Sequence, residues 1–252
     1  MDKISKSQIK LVNSLSMKKF RKKEGLFFCE GIKVFETLLV SDFNIHTVFG
    51  TNEFADKYFK ELEELNFVQV TENELKKISS FSTPQEVLAV VEIPENDLLK
   101  VDFLNELTLV LDEIKDPGNL GTIVRIADWF GIKNIVCSTD SVDIYNSKTV
   151  QATMGSIFSV NVFYTNLLQI FKNLDKNIPV YGTFMDGENI YNKKLSKYGL
   201  IVLGNEANGI SAEIEKNITE KISIPTFNKN KTAESLNISV ATAIICSEFK
   251  RF

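Results

Sequence analysis

Three glycine-marked polar stretches each follow an apolar run, and between them they hold the side chains with most chemical scope. In DPGNLGTIVRIADWFG, Gly121, Arg125 and Asp128 fall at i, i+4 and i+7, on one helical face beside the apolar stripe Leu120, Ile123, Val124, Ala127 and Phe130. Gly121 leaves room for close approach, and Arg125 reaches over that gap. In LIVLGNEANGIS, a strand runs into Gly204, Asn205, Glu206, Asn208 and Gly209. Two glycines and two asparagines suit positive-φ positions, but such a turn has no need of a carboxylate at Glu206. In ISIPTFNKNKTAESLNISVATAI, Ser235 and Asn237 stand at the start of a helix, where free N–H groups favour an anion. Plainer roles fit the same residues: an Arg125–Asp128 surface pair, and helix caps at Asn119, Ser211 and Ser235.

Other chemistries are closed off. The only histidine, His46 in FNIHTVFG, is remote from all three stretches and reads as structural. A Ser-His-Asp triad, a Cys-His dyad or a His-rich metal site would have to use it. Cys29, Cys137 and Cys246 are far apart, with no CxxC pair, so a zinc ribbon is excluded; each reads as a small buried hydrophobe. GNLG lacks the G-x-G-x-x-G spacing, and no G-x-x-x-x-G-K-[ST] occurs, which weighs against a nicotinamide enzyme and a P-loop NTPase. No metal is expected. No apolar run reaches the ~18–20 residues of a membrane span, and the N-terminus lacks the apolar core of a secretory signal. The expected location is the cytoplasm.

The net charge is −4, yet residues 1–23 carry eight Lys/Arg against Asp2. A basic segment on an acidic chain points to a polyanion contact, with Lys18, Lys19, Arg21, Lys22 and Lys23 as its densest part.

The elements that position these residues come from periodicity. SQIKLVNSL has helical spacing at Ile9, Val12 and Leu15; LFFCEG, IHTVFG, FVQV and EVLAVVEI read as strands; FADKYFKELEEL reads as one amphipathic helix, and ENELKKISSF as another. This is a small α/β domain, 1–97. The polar stretch opening at Pro94 holds the linker, 98–105. The second domain, 106–252, restarts with LTLVLDEI, a strand of the kind buried on both faces. Strands NIVCS, PVYGTF, LIVLG and KISIP then alternate with helices at 119–131, around SKTVQATMGSIF, at NLLQIFKNL, at SAEIEK and from about Ser235. The last helix has a stripe at Leu236, Val240, Ile244 and Ser247. Alternation at this spacing predicts a parallel sheet covered by helices, with ligands beyond the carboxyl ends of the strands.

In this order, the three stretches resemble the three motifs of the SpoU/TrmH family of RNA ribose 2′-O-methyltransferases, across about 107–250. VDIYNSKTVQATMGSIF, 142–158, is similar to the family's intervening segment, and KKFRKKEGLFFCEGIKVFETLL, 18–39, resembles the small substrate-binding domain that several members carry. The resemblance implies an α/β fold whose C-terminal part is a deep trefoil knot, preceded by a small RNA-binding α/β domain. It implies S-adenosylmethionine bent into that knot and held largely by backbone groups, here at Gly204, Ile224 and Leu236, with Thr183 lining the same pocket. It makes Arg125 the central catalytic residue, with Asn119, Glu206, Ser235 and Asn237 as further site residues, and the protein a homodimer with a site completed across the interface. Two mechanisms fit: a deprotonated Arg125 as base, or a charged Arg125 stabilising the developing alkoxide, its fork fixed by Glu206. The N-terminal domain favours ribosomal over transfer RNA. A transfer-RNA enzyme and a non-catalytic RNA-binding assembly factor are the alternatives.

Overall fold

Continuous apolar runs such as LFFC and VLAVV in the first hundred residues build a sheet covered on both faces. The computed structural model describes residues 4–228 and 235–251. Lys3 of the basic segment and the polar stretch 229–234 lie outside the described residues. The chain divides into two compact units, the first made of 1–95 with 143–158 and the second of 96–142 with 159–252.

The first unit has strands β1 (Leu26–Glu30), β2 (Ile45–Gly50), β3 (Phe67–Gln69) and β4 (Val87–Glu92) in the order β1-β4-β2-β3. β4 runs antiparallel to both neighbours, and β2 pairs parallel with β3. Period-two alternation sends Leu26, Phe28, Leu88 and Val90 into one core with Val12, Leu15 and Leu75. Phe27, on the opposite face, meets Phe43 and Tyr145. The long helix read over FADKYFKELEEL is two short ones, Asn52–Lys57 and Phe59–Leu62, interrupted at Tyr58. Tyr58 packs on Phe35 and Phe54, and its hydroxyl donates to Glu36. ENELKKISSF is helical only over Glu72–Leu75, behind a capping box made by Thr71 and Glu74. His46 is exposed, with its Nδ1 2.9 Å from the Thr47 hydroxyl.

The contact-based division differs from the sequence reading over 143–158, which joins the first unit. Its helix Ser147–Thr153 is followed by a 3-10 turn, Ser156–Phe158, instead of one continuous helix. The stretch read as a linker is not loose either. Leu98, Val101 and Phe103 pack on the core of the second unit.

That second core lies on a six-stranded, all-parallel sheet. Its strands are β5 (Leu107–Leu111), β6 (Asn134–Ser138), β7 (Asn161–Thr165), β8 (Val180–Asn189), β9 (Gly199–Leu203) and β10 (Glu220–Ser223), ordered β10-β8-β9-β5-β6-β7. β5, β6 and β9 are buried at every residue, Thr108, Asn134 and Ser138 included, as strands covered on both faces are. The edge strand β7, NVFYT, escaped the sequence reading because its polar ends break the apolar run. The helix Pro117–Trp129 buries Leu120, Ile123, Val124 and Ala127 and packs against the last helix, Ile238–Phe249. That last helix turns a different face inward from the stripe read in the sequence. Ile238, Thr242, Ile245, Cys246 and Phe249 are buried, whereas Leu236 and Val240 are half-exposed.

All three cysteines are free and buried. Burial pushes the thiols of Cys29 and Cys246 up to about 12, and that of Cys137 higher still. At neutral pH no thiolate forms. Ellman's reagent is therefore expected to find no reactive thiol in the native protein and three after denaturation; rapid native reaction at any of the three would contradict this packing.

Candidate active site

The first site segment leaves β5 and enters the helix Pro117–Trp129. The cap is Asp116, not Asn119: Asn119 N–H donates to Asp116 Oδ1 at 2.7 Å, and Pro117 takes the first helical position, where a missing N–H costs nothing. Because Asp116 satisfies the backbone, the Asn119 side chain is available for contacts outside the helix.

Those contacts join all three motifs. Asn119 Nδ2 donates to Glu206 Oε1 at 2.7 Å, and Asn237 Nδ2 donates to Asn119 Oδ1 at 3.0 Å. Asn237 is itself the N-cap of the last helix, where its Oδ1 accepts from Ser239 N at 3.0 Å and Val240 N at 3.4 Å. The direction of this relay is fixed at both ends. A carboxylate only accepts and backbone N–H only donates, so each amide between them has one orientation. Ser235 is not the cap; it lies two residues before Asn237.

Arg125 lies six residues beyond Asn119 on the same helix, about 9 Å further along and about 120° around it. Arg125 is exposed while Gly121 is buried. Among the described residues no hydrogen bond or ion pair holds Arg125. Neither the Arg125–Asp128 pair nor the Glu206–Arg125 fork forms. Glu206 is turned to Asn119 instead, and the guanidinium is left open to a ligand.

The loop that carries Glu206 is closed by close backbone approach. A Cβ on Gly204 would lie 2.1 Å from the carbonyl carbon of Gly209. Gly209 takes the positive φ of 70°, but neither asparagine of the loop does. The value of Asn205 lies in its side-chain hydrogen bonds.

Beyond the edge of β8 lies a cavity of about 260 Å³, lined by Thr183, Ile224, Ser235 and Leu236 together with Phe184, Met185, Ile190 and Ile222. Of the residues expected to hold the cofactor, Thr183, Ile224 and Leu236 line this one cavity. Gly204 does not line the cavity, being filled in by its own loop. Phe184, Met185 and Ile190 were not singled out in the sequence, where the strand was ended at Phe184. β8 continues to Asn189, and its pairing with β10 jumps from Gly182↔Lys221 to Glu188↔Ile222, so that Thr183–Gly187 leave the ladder and Thr183, Phe184 and Met185 wall the cavity. The sequence signal is Gly187, where a Cβ would meet the Ile222 backbone at 2.5 Å. No charged side chain lines this cavity among the described residues. Its apolar walls and scattered hydroxyls suit a flat heteroaromatic group whose polar edge is met by backbone. Ser235 and Leu236 in its wall lead directly into Asn237, so cavity and relay share one short backbone segment.

In the first unit, Lys18, Lys19, Lys22 and Lys23 are exposed on the helix Lys18–Glu24. Arg21 is not part of that surface. It is 2% exposed; its Nη2 pairs with Asp143 Oδ2 at 2.7 Å and its Nη1 donates to the carbonyls of Leu15 and Ser16. The partner lies 122 residues away, beyond the reach of any local pattern. Among the described residues no group of three or more His, Cys, Asp or Glu side chains is arranged to hold a metal ion, and no helix is long and apolar enough to cross a membrane.

Residues 106–247 match the family model described as the SpoU rRNA Methylase family, and residues 6–89 match one described as an MRM3-like substrate binding domain. The 23S rRNA (guanosine(2553)-2′-O)-methyltransferase RlmP of Bacillus subtilis is 29% identical over 241 residues, 94% of each chain. A TrmH-family protein from Porphyromonas gingivalis superposes with a TM-score of 0.86 at 35% identity, over 98% of each chain. The AdoMet-bound rRNA methyltransferase of Sinorhizobium meliloti gives 0.86 at 26% identity, over 99% of this chain and 97% of its own.

Proposed function

The chain belongs to the SpoU rRNA methylase family, and from that premise we propose that it transfers the methyl group of S-adenosylmethionine to a ribose 2′-hydroxyl of ribosomal RNA. The observation that carries this reading is the relay Glu206–Asn119–Asn237, which ends beside the apolar cavity at Asn237 and on the helix of Arg125 at Asn119, Arg125 having no partner among the described residues.

The cavity between Thr183, Ile224 and Leu236 fits the adenosyl part of the cofactor by its size and apolar lining. Bound there, the cofactor supplies a methyl group on a sulfonium, which leaves without needing a proton. The protein's task is then to place the 2′-hydroxyl in line and stabilise charge on its oxygen as the hydroxyl proton passes to water. Arg125 does the second: a guanidinium keeps its charge across the working range of proteins, so it stabilises the alkoxide and a neighbouring phosphate. Asn119 and Asn237, oriented by Glu206 at one end and helix N–H groups at the other, present fixed dipoles beside the cavity. Ser235 offers a hydroxyl to the same phosphate. Lys18, Lys19, Lys22 and Lys23 make backbone contacts with the RNA, and the 2′-hydroxyl itself separates RNA from DNA.

The segment from β8 to the last helix is read as the trefoil knot, a reading supported by the strand order, in which β10 takes the edge, β8 lies inside it and β9 stands between β8 and β5. The working form is a homodimer in the cytoplasm. Support for the dimer comes from apolar side chains left uncovered on two helices that pack together: Trp129 is 84% exposed and Val240 49%. Sedimentation is expected to give twice the chain mass of 28.5 kDa. Val240→Asp is expected to give the single-chain mass, with a red shift in emission from Trp129, the only tryptophan. A parent protein that stays monomeric at micromolar concentration contradicts the dimer.

The test of the activity is transfer of tritiated methyl to RNA from a host that lacks the gene. Label in the ribosomal RNA fraction supports the proposal. Label confined to transfer RNA moves the substrate, and no label together with no cofactor binding by calorimetry rejects it in favour of an assembly factor.

A further inference from the structure

Glu206 is exposed at the tip of its loop, yet its carboxylate is held at hydrogen-bond distance to Asn119. What fixes it is the residue before it. Asn205 N–H donates to Gly209 O at 2.9 Å, and Gly209 N–H donates to Asn205 O at 2.8 Å, closing the loop on itself. Asn205 Oδ1 accepts from Ala207 N at 2.9 Å and from Asn208 N at 3.2 Å, so the amides on the far side of Glu206 are gathered onto the same side chain. Asn205 Nδ2 then donates to the carbonyl of Glu113 at 2.9 Å. Glu113 belongs to the turn after β5 that leads to Asp116 and Asn119. It is one of two non-glycine residues with positive φ among the described residues, at 59°, and its N–H is held by the Ser138 hydroxyl at 2.9 Å. The far end of the loop is tied to the same turn, because Ser211 N–H donates to the buried Asp112 Oδ2 at 2.8 Å. Both loops of the relay are thus fastened to each other on either side of Glu206.

We infer that Asn205 is a positioning residue for methyl transfer, acting through Glu206: it pins the loop to the Glu113 carbonyl and so sets the Glu206–Asn119 contact. The inference rests on the activity proposed above. Asparagine is the residue type that can do this, since one oxygen must accept from two amides while one NH₂ donates to a carbonyl. Aspartate keeps the first function and loses the second, placing a carboxylate oxygen against the Glu113 carbonyl.

The test compares Asn205→Ala and Asn205→Asp, each alone and in a Glu206→Ala background. The readouts are single-turnover methyl transfer to ribosomal RNA from a host lacking the gene, S-adenosylmethionine affinity, and amide hydrogen exchange over 205–211. Both single variants are expected to lose about 10- to 100-fold in transfer rate with an unchanged cofactor dissociation constant. In the Glu206→Ala background neither should cost anything further, since residues acting as a unit are not additive. Exchange at Ala207 and Asn208 should rise in Asn205→Ala and stay low in Asn205→Asp. A parent-like rate in Asn205→Asp, or losses that multiply in the double variants, overturns the inference. If the parent labels no RNA, the activity reading falls separately. Exchange then still decides the pinning of the loop: unaltered protection at Ala207 and Asn208 in Asn205→Ala overturns it.

Discussion

Arg125→Ala is expected to lower methyl transfer to ribosomal RNA by about 10²- to 10³-fold, the usual loss when one donor to a developing oxyanion is removed. The fold should not notice. Arg125 is exposed and makes no hydrogen bond or ion pair among the described residues, and substitutions at such positions stay within about 0.5 kcal/mol. Cofactor affinity should also hold, because Arg125 does not line the cavity. Arg125→Lys keeps the charge and loses the planar fork, so it should fall between the two. Single-turnover rates beside calorimetric titration with S-adenosylmethionine separate these effects. Equal loss of affinity and rate would put Arg125 in cofactor binding rather than in catalysis.

The second large effect is structural. Asp143→Ala removes the carboxylate that pairs with Arg21 and strands a guanidinium that is 2% exposed. The Leu15 and Ser16 carbonyls still accept from it, but its Nε already lacks a partner. Breaking such a pair from one side costs about 3–5 kcal/mol. Replacing both partners by apolar side chains should cost much less, because no charge is then left buried. Chemical denaturation of Asp143→Ala, Arg21→Met and Arg21→Met/Asp143→Leu checks this. The double variant should be more stable than either single one; a double variant as weak as the sum of the two would show that the pair is not the cause.

These two residues also show where sequence reasoning reaches and where it stops. Arg125 stands out because residue type and helical phase are both local: a glycine and an arginine one turn apart, beside an apolar stripe. The parallel sheet is equally legible, since LTLVL, NIVCS and LIVLG are short, mostly apolar runs set between helical stretches. Arg21 was grouped with its basic neighbours because nothing local separates it from Lys22; only a contact 122 residues away does. Asn119 was read as a cap because Asp116 and Asn119 are both good caps, and Pro117 at the first helical position favours the residue before it. The last helix misled for a different reason. ISVATAIIC is apolar all round, so periodicity selects no face, and packing against Pro117–Trp129 decides which side is buried. The wall at Thr183, Phe184 and Met185 depends on a jump in register, which leaves only Gly187 as a trace in the sequence. Asn205 reads as a turn former in sequence, and its bridge to Glu113 belongs to the tertiary structure.

The claim that matters most is the atom that receives the methyl group. The measurement is alkaline hydrolysis of ribosomal RNA labelled by the purified protein, followed by chromatography of the products. A methylated 2′-oxygen cannot take part in cleavage of the adjoining phosphodiester. The account therefore predicts that the tritium is recovered in alkali-resistant dinucleotides, which yield a 2′-O-methyl nucleoside on enzymatic digestion. Tritium recovered in mononucleotides carrying a methylated base would contradict it, and with it the roles given to Arg125, Asn119 and Glu206.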